Sequence, residues 1–226
     1  SELEILKTNQ RKEAQHLVKQ LHIVAAHSDK LTSGLHFETH LEFDRSWGLG
    51  SSSTFTSLLA QFANLNVLDI FHEAHGGSGY DLACASAAGP ILYHIEKGSA
   101  ETTPVNWVPD FANDLAFVFS GKKQLTSESL ALVEKQPFNP RQIKKINELT
   151  SAFVSASTLE RIESVMHEHE QLIGGHLGLL PVSEHLFKGY NVPVKSLGGW
   201  GGDFVFVTRF SENQQWVKDN GFEHVP

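Results

Sequence analysis

One cysteine, Cys84, in 226 residues leaves no internal disulfide to hold a fold together. No apolar run reaches the length of a signal core or a membrane span, and the two absences together make a reducing, cytoplasmic setting the simplest expectation. Basic residues are also scarce: 18 Lys and Arg face 26 Asp and Glu, for a formal net charge of -8. A general affinity for nucleic acid or an anionic membrane needs a basic surface that displaces counterions, so neither is expected and an anionic ligand has to be held locally. The Walker pattern Gly-x-x-x-x-Gly-Lys-Ser/Thr is missing, as are the dinucleotide pattern Gly-x-Gly-x-x-Gly around residue 48 and the protein-kinase signatures. No internal repeat or low-complexity segment is visible.

What is present is 40% hydrophobic and 19% charged, enough for one large or two small domains with real cores. Residues 2–27 read as a polar-faced helix on the spacing of Leu6, Leu17, Leu21 and Val24. In His36–Phe43, Phe37, Leu41 and Phe43 alternate with polar side chains, which predicts a half-buried strand running into a glycine loop. Beyond that loop, Phe55, Leu58, Leu59 and Phe62 recur at i, i+3, i+4 and i+7, predicting a helix whose first turn is Ser51 to Thr54. Strands are expected at PILYHIE, VNWV and LAFVFS. Helices are expected over Ser127–Glu134, over Pro140–Ser155 with proline at its start, over Leu159–Leu172 and around Gln214–Asp219. Strand-rich sequence gives way to the second half near residues 105–112, and the domains are set at 1–108 and 109–226.

Three glycine clusters stand out. In Trp47-Gly48-Leu49-Gly50-Ser51-Ser52-Ser53-Thr54-Phe55, a helix start brings unpaired amides and a partial positive charge to a flexible loop. Such a loop can cradle phosphate, and the serine hydroxyls can reach phosphate oxygens or Mg²⁺; a glycine turn with a serine cap is the other reading. In Gly76-Gly77-Ser78-Gly79-Tyr80-Asp81, the Asp81 carboxylate follows a glycine turn, suited either to accepting a proton from a substrate hydroxyl or to capping a helix. In Gly198-Gly199-Trp200-Gly201-Gly202, four glycines in five positions cost chain entropy, which implies a backbone requirement: a tight turn or a loop over a ligand.

In this order and separation, GLGSSS, GGSGYDLA and VKSLGGWGGDFVFV resemble motifs of the GHMP kinases, the superfamily of galactokinase, homoserine kinase, mevalonate kinase and phosphomevalonate kinase. Gly79-Tyr80-Asp81-Leu82-Ala83 is similar to the Gly-Tyr-Asp-Ile-Ala signature of the GYDIA branch. The resemblance spans residues 36 to about 210. It implies an α+β protein of two domains, an N-terminal α/β domain and a ferredoxin-like C-terminal domain, with N-terminal strands missing. It implies ATP-dependent transfer of a phosphoryl group to a small-molecule hydroxyl or phosphate, in the manner of mevalonate and phosphomevalonate kinases. Gly48, Leu49, Gly50, Ser51, Ser52 and Ser53 then match the ATP-phosphate loop, Ser52 the Mg²⁺ serine and Asp81 the catalytic base. Ser78 and Gly79 line the acceptor side, together with Gly198, Gly199, Gly201 and Gly202 of the third loop, which Lys195 and Ser196 precede.

The chain also departs from the family pattern. The first motif, a strand carrying a Gly-Lys/Gly-Glu-type stretch, has no counterpart upstream of residue 36, so a segment preceding Ser1 is expected. Neither Asp69 nor Glu73 sits at the spacing of the family's Mg²⁺ carboxylate. Asp44 stands where many relatives carry proline, and Trp200 makes the third loop bulky. A noncatalytic nucleotide- or metabolite-binding protein of the same fold is the alternative; the acceptor and the oligomeric state are not encoded legibly. His72-Glu73-Ala74-His75 spaces its histidines at i, i+3 rather than the i, i+4 of a zinc helix. His167 and His169 read as surface residues, Lys122 and Lys123 as a solvated pair, and Cys84, without a basic neighbour, as a small buried residue.

Overall fold

The structure is a computed structural model that describes residues 4–31, 34–74, 78–96, 98–121, 126–200 and 203–225. The chain forms two compact units, one comprising Ser1–Arg45 and Leu49–Asn106, the other Ser46–Gly48 and Trp107–Pro226.

The first unit contains helices α1 (Arg11–His27), α2 (Ser51–Ala63), α3 (Val67–Ala74) and α4 (Tyr80–Ser86), followed by strands β1 (Ile91–Glu96) and β2 (Ser99–Pro104). Its core joins Ile23 and Val24 of α1, Leu59, Ala60 and Ala63 of α2, and Ile70 of α3. The face that α2 buries is not the predicted one. Ser53, Thr56, Ser57, Ala60 and Ala63 point inward with Leu59, whereas Leu58 is 51% exposed. Small side chains let neighbouring helices approach closely, and the hydroxyls find partners: the Thr56 hydroxyl shares its one proton between the Ser52 carbonyl and Gln20 Oε1, each 2.9 Å away.

Two predicted strands of this unit are absent. Residues 35–41 carry no regular structure: alternation gives a strand only where a partner completes the ladder, and none of the described strands pairs there. Phe37 instead meets Phe62 edge-on at 4.9 Å. VNWV is irregular too, and β2 lies upstream of it in Ser99–Pro104, a sequence of low strand propensity. Gly98, directly before it, takes a positive φ of 83°, and β2 pairs antiparallel with β1 along its whole length, from Ser99 opposite Glu96 to Pro104 opposite Ile91. Helix α1 starts at Arg11 rather than residue 2, and Leu6 remains 91% exposed.

The second unit runs β3 (Ala116–Phe119), α5 (Thr126–Lys135), α6 (Pro140–Val154), α7 (Leu159–Leu177), β4 (Val194–Ser196), β5 (Phe204–Val207), α8 (Phe210–Asp219) and β6 (Glu223–Val225). All sheet pairings are antiparallel, in the order β4-β5-β3-β6. Helical crossovers between β3 and β4 and between β5 and β6 make this a ferredoxin-like arrangement. Strand β5 is buried at every position because both its faces are covered. Val205 and Val207 pack with Phe187, Tyr190 and Val217, while Phe206 packs with Ile162 and Met166. The Trp107 ring, predicted in a strand, packs 5.5 Å from Phe153.

Local signals set the helix ends. Asn139 and Gln142 cap α6 reciprocally with Pro140 at its first position, and Gly178 closes α7 in the left-handed region. Helix α8 begins four residues earlier than the sequence suggests, after Arg209 at φ 49°. That strained residue is held by Glu163, which accepts from Arg209 Nε at 2.8 Å and from Thr208 Oγ1 at 2.9 Å.

Candidate functional site

The two units divide inside the first glycine loop. On the side of the second unit, the Trp47 ring lies 5.9 Å from Phe204 and 6.2 Å from Phe119. Gly48 follows at φ 71°, and a Cβ there would meet Asp203 Oδ2 at 2.0 Å, so the position admits only glycine without rearrangement. On the side of the first unit, Leu49 is exposed and Gly50, at φ 75°, is the N-cap of α2. The serine-cap reading therefore fails. No side chain caps α2, and the first bond of the helix runs from the Thr54 amide to the Gly50 carbonyl at 2.9 Å. The amides of Ser51, Ser52 and Ser53 precede that bond and are the orphan donors of the helix start, backed by the positive end of its dipole.

Ser51 and Ser52 open onto a cleft of about 370 Å³ within the first unit, the size range of small-ligand sites, whereas Ser53, also expected at the phosphate loop, is buried and does not line it. Its lining includes the polar Ser51, Ser52 and Thr54 and the apolar Leu17, Leu41, Phe55 and Leu58. Arg45, His16, His40 and Glu13 line it as well. The Arg45 guanidinium donates to Gln10 Oε1 and lies 4.0 Å from Glu13. Phe55 and Leu58, half of the apolar stripe read from the sequence, thus face this cleft.

Asp81 lies in the first turn of α4, exposed to solvent. Gly79, at φ 77°, is the N-cap, its carbonyl accepting from the Leu82 and Ala83 amides at 3.1 and 3.2 Å. The capping role weighed for Asp81 thus falls to Gly79. The Ser78 carbonyl accepts from the Tyr93 hydroxyl, tying the start of α4 to β1. Helix α4 meets α2 through the Ser57 and Ser86 hydroxyls at 3.1 Å. Gly76 and Gly77 lie outside the described residues.

In the second unit, Gly198 at φ 65° and Gly199 follow β4, and Trp200 adopts φ 58°. Gly201 and Gly202 lie outside the described residues. Glu170 of α7, 2% exposed, faces this loop. Its Oε1 accepts from the Ser196 amide at 3.0 Å and from Trp200 Nε1 at 3.2 Å, and its Oε2 from Ser196 Oγ at 3.2 Å. Burial pushes its carboxyl pKa up, against the opposing pull of Lys195 and these donors. Lys195 donates to the Ser196 carbonyl at 3.0 Å, and burial pushes its ammonium pKa down.

No protein-family model matches the sequence, and no curated protein matches it. Its fold does resemble solved structures, two of them as follows. A Lin0012 protein from Listeria innocua superposes with a TM-score of 0.66 over 99% of this chain and 80% of its own, at 18% identity. Mevalonate diphosphate decarboxylase from Staphylococcus aureus superposes with a TM-score of 0.55 over 95% of this chain and 78% of its own, at 16% identity. The chain has a GHMP-like fold.

Within this GHMP-like fold, the glycine clusters were legible and their surroundings were not. Arg45, His16, Leu17 and Leu41 carry no motif, and only the fold gathers them with Ser51 and Ser52 in one cleft. Glu170 sits in a charged stretch of α7, and its burial could have been read only from helical phase with Ile162, Met166 and Ile173. His169, expected at the surface, is half-buried with an unpartnered Nδ1, and burial, followed by Lys195, lowers its pKa to about 4. Cys84, expected to be buried, is exposed. Its thiol pKa is nevertheless raised, by partial burial and then by the Asp81 carboxylate, which disfavours a thiolate nucleophile.

Among the described residues, the His, Cys, Asp and Glu side chains close enough to share a cation are His94, Glu96 and Glu101 on the β1–β2 hairpin, all exposed. That group includes neither Asp69 nor Asp81. Glu73 pairs with His27 at 3.4 Å, while the side chain of His72 and all of His75, Lys122 and Lys123 lie outside the described residues. Among the described residues no helix is long and apolar enough to cross a membrane.

Proposed function

We propose that this protein transfers a phosphoryl group from ATP to a hydroxyl or phosphate of a small acceptor of the mevalonate or phosphomevalonate class. The observation that carries the reading is the start of α2: amides free of any side-chain cap, beside a cleft lined by Arg45 and by apolar side chains. The residues fit the cofactor. Ser51, Ser52 and Arg45 suit the phosphates, and Leu17, Leu41, Phe55 and Leu58 suit a base or ribose. Ser52 and Glu13 line the same cleft and offer the oxygen donors that Mg²⁺ takes alongside phosphate. The GLGSSS, GGSGYDLA and VKSLGGWGGDFVFV resemblance and the likeness to a structure named for mevalonate diphosphate add support.

ATP, when bound, supplies the γ-phosphoryl group and leaves as ADP as the new oxygen–phosphorus bond forms. Asp81 takes the proton of an attacking acceptor hydroxyl; an acceptor phosphate attacks through an ionised oxygen and needs no such base. Ser78 and Gly79 orient the acceptor beside Asp81, and the α2 amides with Arg45 balance charge on the phosphates. Positioning and charge stabilisation carry most of the rate in such transfers. A noncatalytic nucleotide binder of the same fold is the second reading, favoured by the absence of Asp69 and Asp81 from the one grouping of such side chains able to share a cation among the described residues.

The test is ADP release by the purified protein across a panel of hydroxyl and phosphate acceptors, with and without Mg²⁺. With a hydroxyl acceptor, Asp81→Asn lowers kcat at least about 100-fold, the lower range for a general base, and leaves MgATP affinity within about threefold. Loss of MgATP binding in that variant, or release by wild type that no acceptor stimulates, removes the proposed role.

A further inference from the structure

Gln10 is the N-cap of α1, yet its side chain makes no capping bond. Its Oε1 is turned instead to Arg45, 35 residues further along the chain, and accepts from Arg45 Nη1. The backbone of Gln10 is fixed independently: its amide donates to Thr8 Oγ1 at 2.9 Å, and its carbonyl accepts from the Ala14 amide at 3.0 Å. The side chain is therefore a tether between a set point on α1 and an arginine that lines the first-unit cleft together with Ser51 and Ser52.

A guanidinium carries five N–H donors and a permanent charge. Among the described residues, Gln10 is the acceptor it reaches; Glu13 Oε1, at 4.0 Å, stands beyond hydrogen-bond distance. The chemistry of the tether matters. A neutral amide oxygen orients the fork and leaves its charge in place, whereas a carboxylate in the same position would orient it and cancel the charge. For stability alone a carboxylate partner would serve at least as well; orientation without neutralisation is what recognition of an anion requires. The start of α2, whose amides no side chain caps, borders the same cleft and is a second, independent source of positive potential.

We propose that Gln10 is a positioning residue for anion binding in this cleft, holding the Arg45 guanidinium oriented and uncancelled for the phosphates of ATP, with Glu13 as the counter-charge that an arriving phosphate chain displaces. This inference rests on the proposed binding of ATP phosphates beside the start of α2, and on no step of the transfer. Gln10 acts through Arg45. A fork already oriented spares the entropy of ordering a long side chain at each binding event. Arg45 and Glu13 are 47% and 45% exposed, so their charges act through water and the effects are a few-fold.

The experiment measures ATP binding by titration calorimetry, with Mg²⁺ and with a chelator, alongside thermal unfolding, in wild type, Gln10→Ala, Gln10→Glu, Glu13→Gln and Arg45→Ala. Gln10→Ala frees the guanidinium and weakens binding about threefold. Gln10→Glu keeps an acceptor in place and melts no earlier than wild type, an acid at a helix start being favourable. It still weakens binding at least about threefold, the scale of one nearby charge in water. Glu13→Gln, measured without Mg²⁺ so that no metal ligand is lost, strengthens binding at least about twofold. Salt at about 0.5 M shrinks both charge effects and spares the alanine effect.

A merely structural tether gives the opposite pattern, in which glutamate rescues what alanine loses. Gln10→Glu or Gln10→Ala binding ATP as wild type does, or Glu13→Gln without effect in chelator, overturns the assignment while ATP binding at the cleft stands. Arg45→Ala within twofold of wild type places the phosphates elsewhere and overturns the reading of the cleft itself, as does wild type that binds ATP in neither form.

Discussion

Gly48 and Gly221 offer a controlled measurement of what close approach costs at the first glycine loop. Both belong to the second unit, and their φ values, 71° and 73°, are nearly the same. Their surroundings differ completely: a Cβ at Gly221 meets nothing within 4 Å, whereas one at Gly48 meets Asp203 Oδ2 at 2.0 Å, Cγ at 2.5 Å and Cβ at 3.2 Å. Gly221→Ala should therefore cost only the left-handed strain of a residue bearing a Cβ, about 1–2 kcal/mol. Gly48→Ala adds an overpacking cost of about 1–3 kcal/mol, because Asp203 cannot slide away as a unit. Its carbonyl accepts from the Ser120 amide at 2.7 Å, so the side chain has to rotate and give up its present contacts.

The assay is thermal unfolding followed by calorimetry, in which about 1 kcal/mol corresponds to roughly 4 °C for a unit of this size. Asp203→Ala in the Gly48→Ala background removes the 2.0 and 2.5 Å encounters and leaves the one at 3.2 Å, so the double variant should recover most of the overpacking cost as a coupling energy. Equal destabilisation by the Gly48 and Gly221 substitutions, or a double variant whose effects simply add, would refute the reasoning.

Two further predictions concern the second unit. His169, held neutral with a pKa of about 4 against an ordinary 6.5, contributes stability that is fully present above pH 6.5. That contribution declines as the pH falls toward 4, by at most about 3 kcal/mol. Denaturant midpoints at pH 7.5, 6 and 5 should show this slope for wild type relative to His169→Gln, a comparison that subtracts the opposing contribution of Glu170, whose raised pKa favours the folded state as the pH falls. A parallel pair of profiles would contradict the assignment. Asn139→Ala removes the reciprocal cap of α6 and should lower stability by about 1 kcal/mol in a urea titration, while Asn139→Asp should retain most of it.

Helices of the second unit were readable because their boundary chemistry is local: Asn139, Pro140 and Gln142 announce the start of α6 without reference to anything distant. Strands were readable where apolar residues cluster or alternate over a short run, as in PILYHIE and LAFVFS, which form Ile91–Glu96 and Ala116–Phe119. Residues 36–43 have the alternation of a strand and lack one because pairing is decided by a partner elsewhere, whereas Ser99–Pro104 has poor strand residues and pairs with β1 along its whole length. The same division runs through the candidate site. Gly48, Gly50 and Gly79 were visible because positive φ demands glycine. Arg45 was not, because an isolated charge shows no periodicity until the fold determines what surrounds it, and Glu170 was legible only through its helical phase with Ile162, Met166 and Ile173. The serines of α2 misled in one respect: a glycine took the cap they are suited to, which leaves their amides free.

Strand β3 occupies an interior place in its sheet, yet both of its neighbours come from far along the chain, Phe204–Val207 on one side and Glu223–Val225 on the other. During synthesis, Ala116–Phe119 thus leaves the ribosome well before either partner has been made, with Val118 and its apolar neighbours uncovered for that interval. The helices between them can form early from local interactions, but sheet closure waits for the last residues of β6 and must bridge a long loop. Maturation of this unit is therefore expected to be late and abrupt, and the nascent chain to depend on chaperone shielding more than its modest strand content suggests.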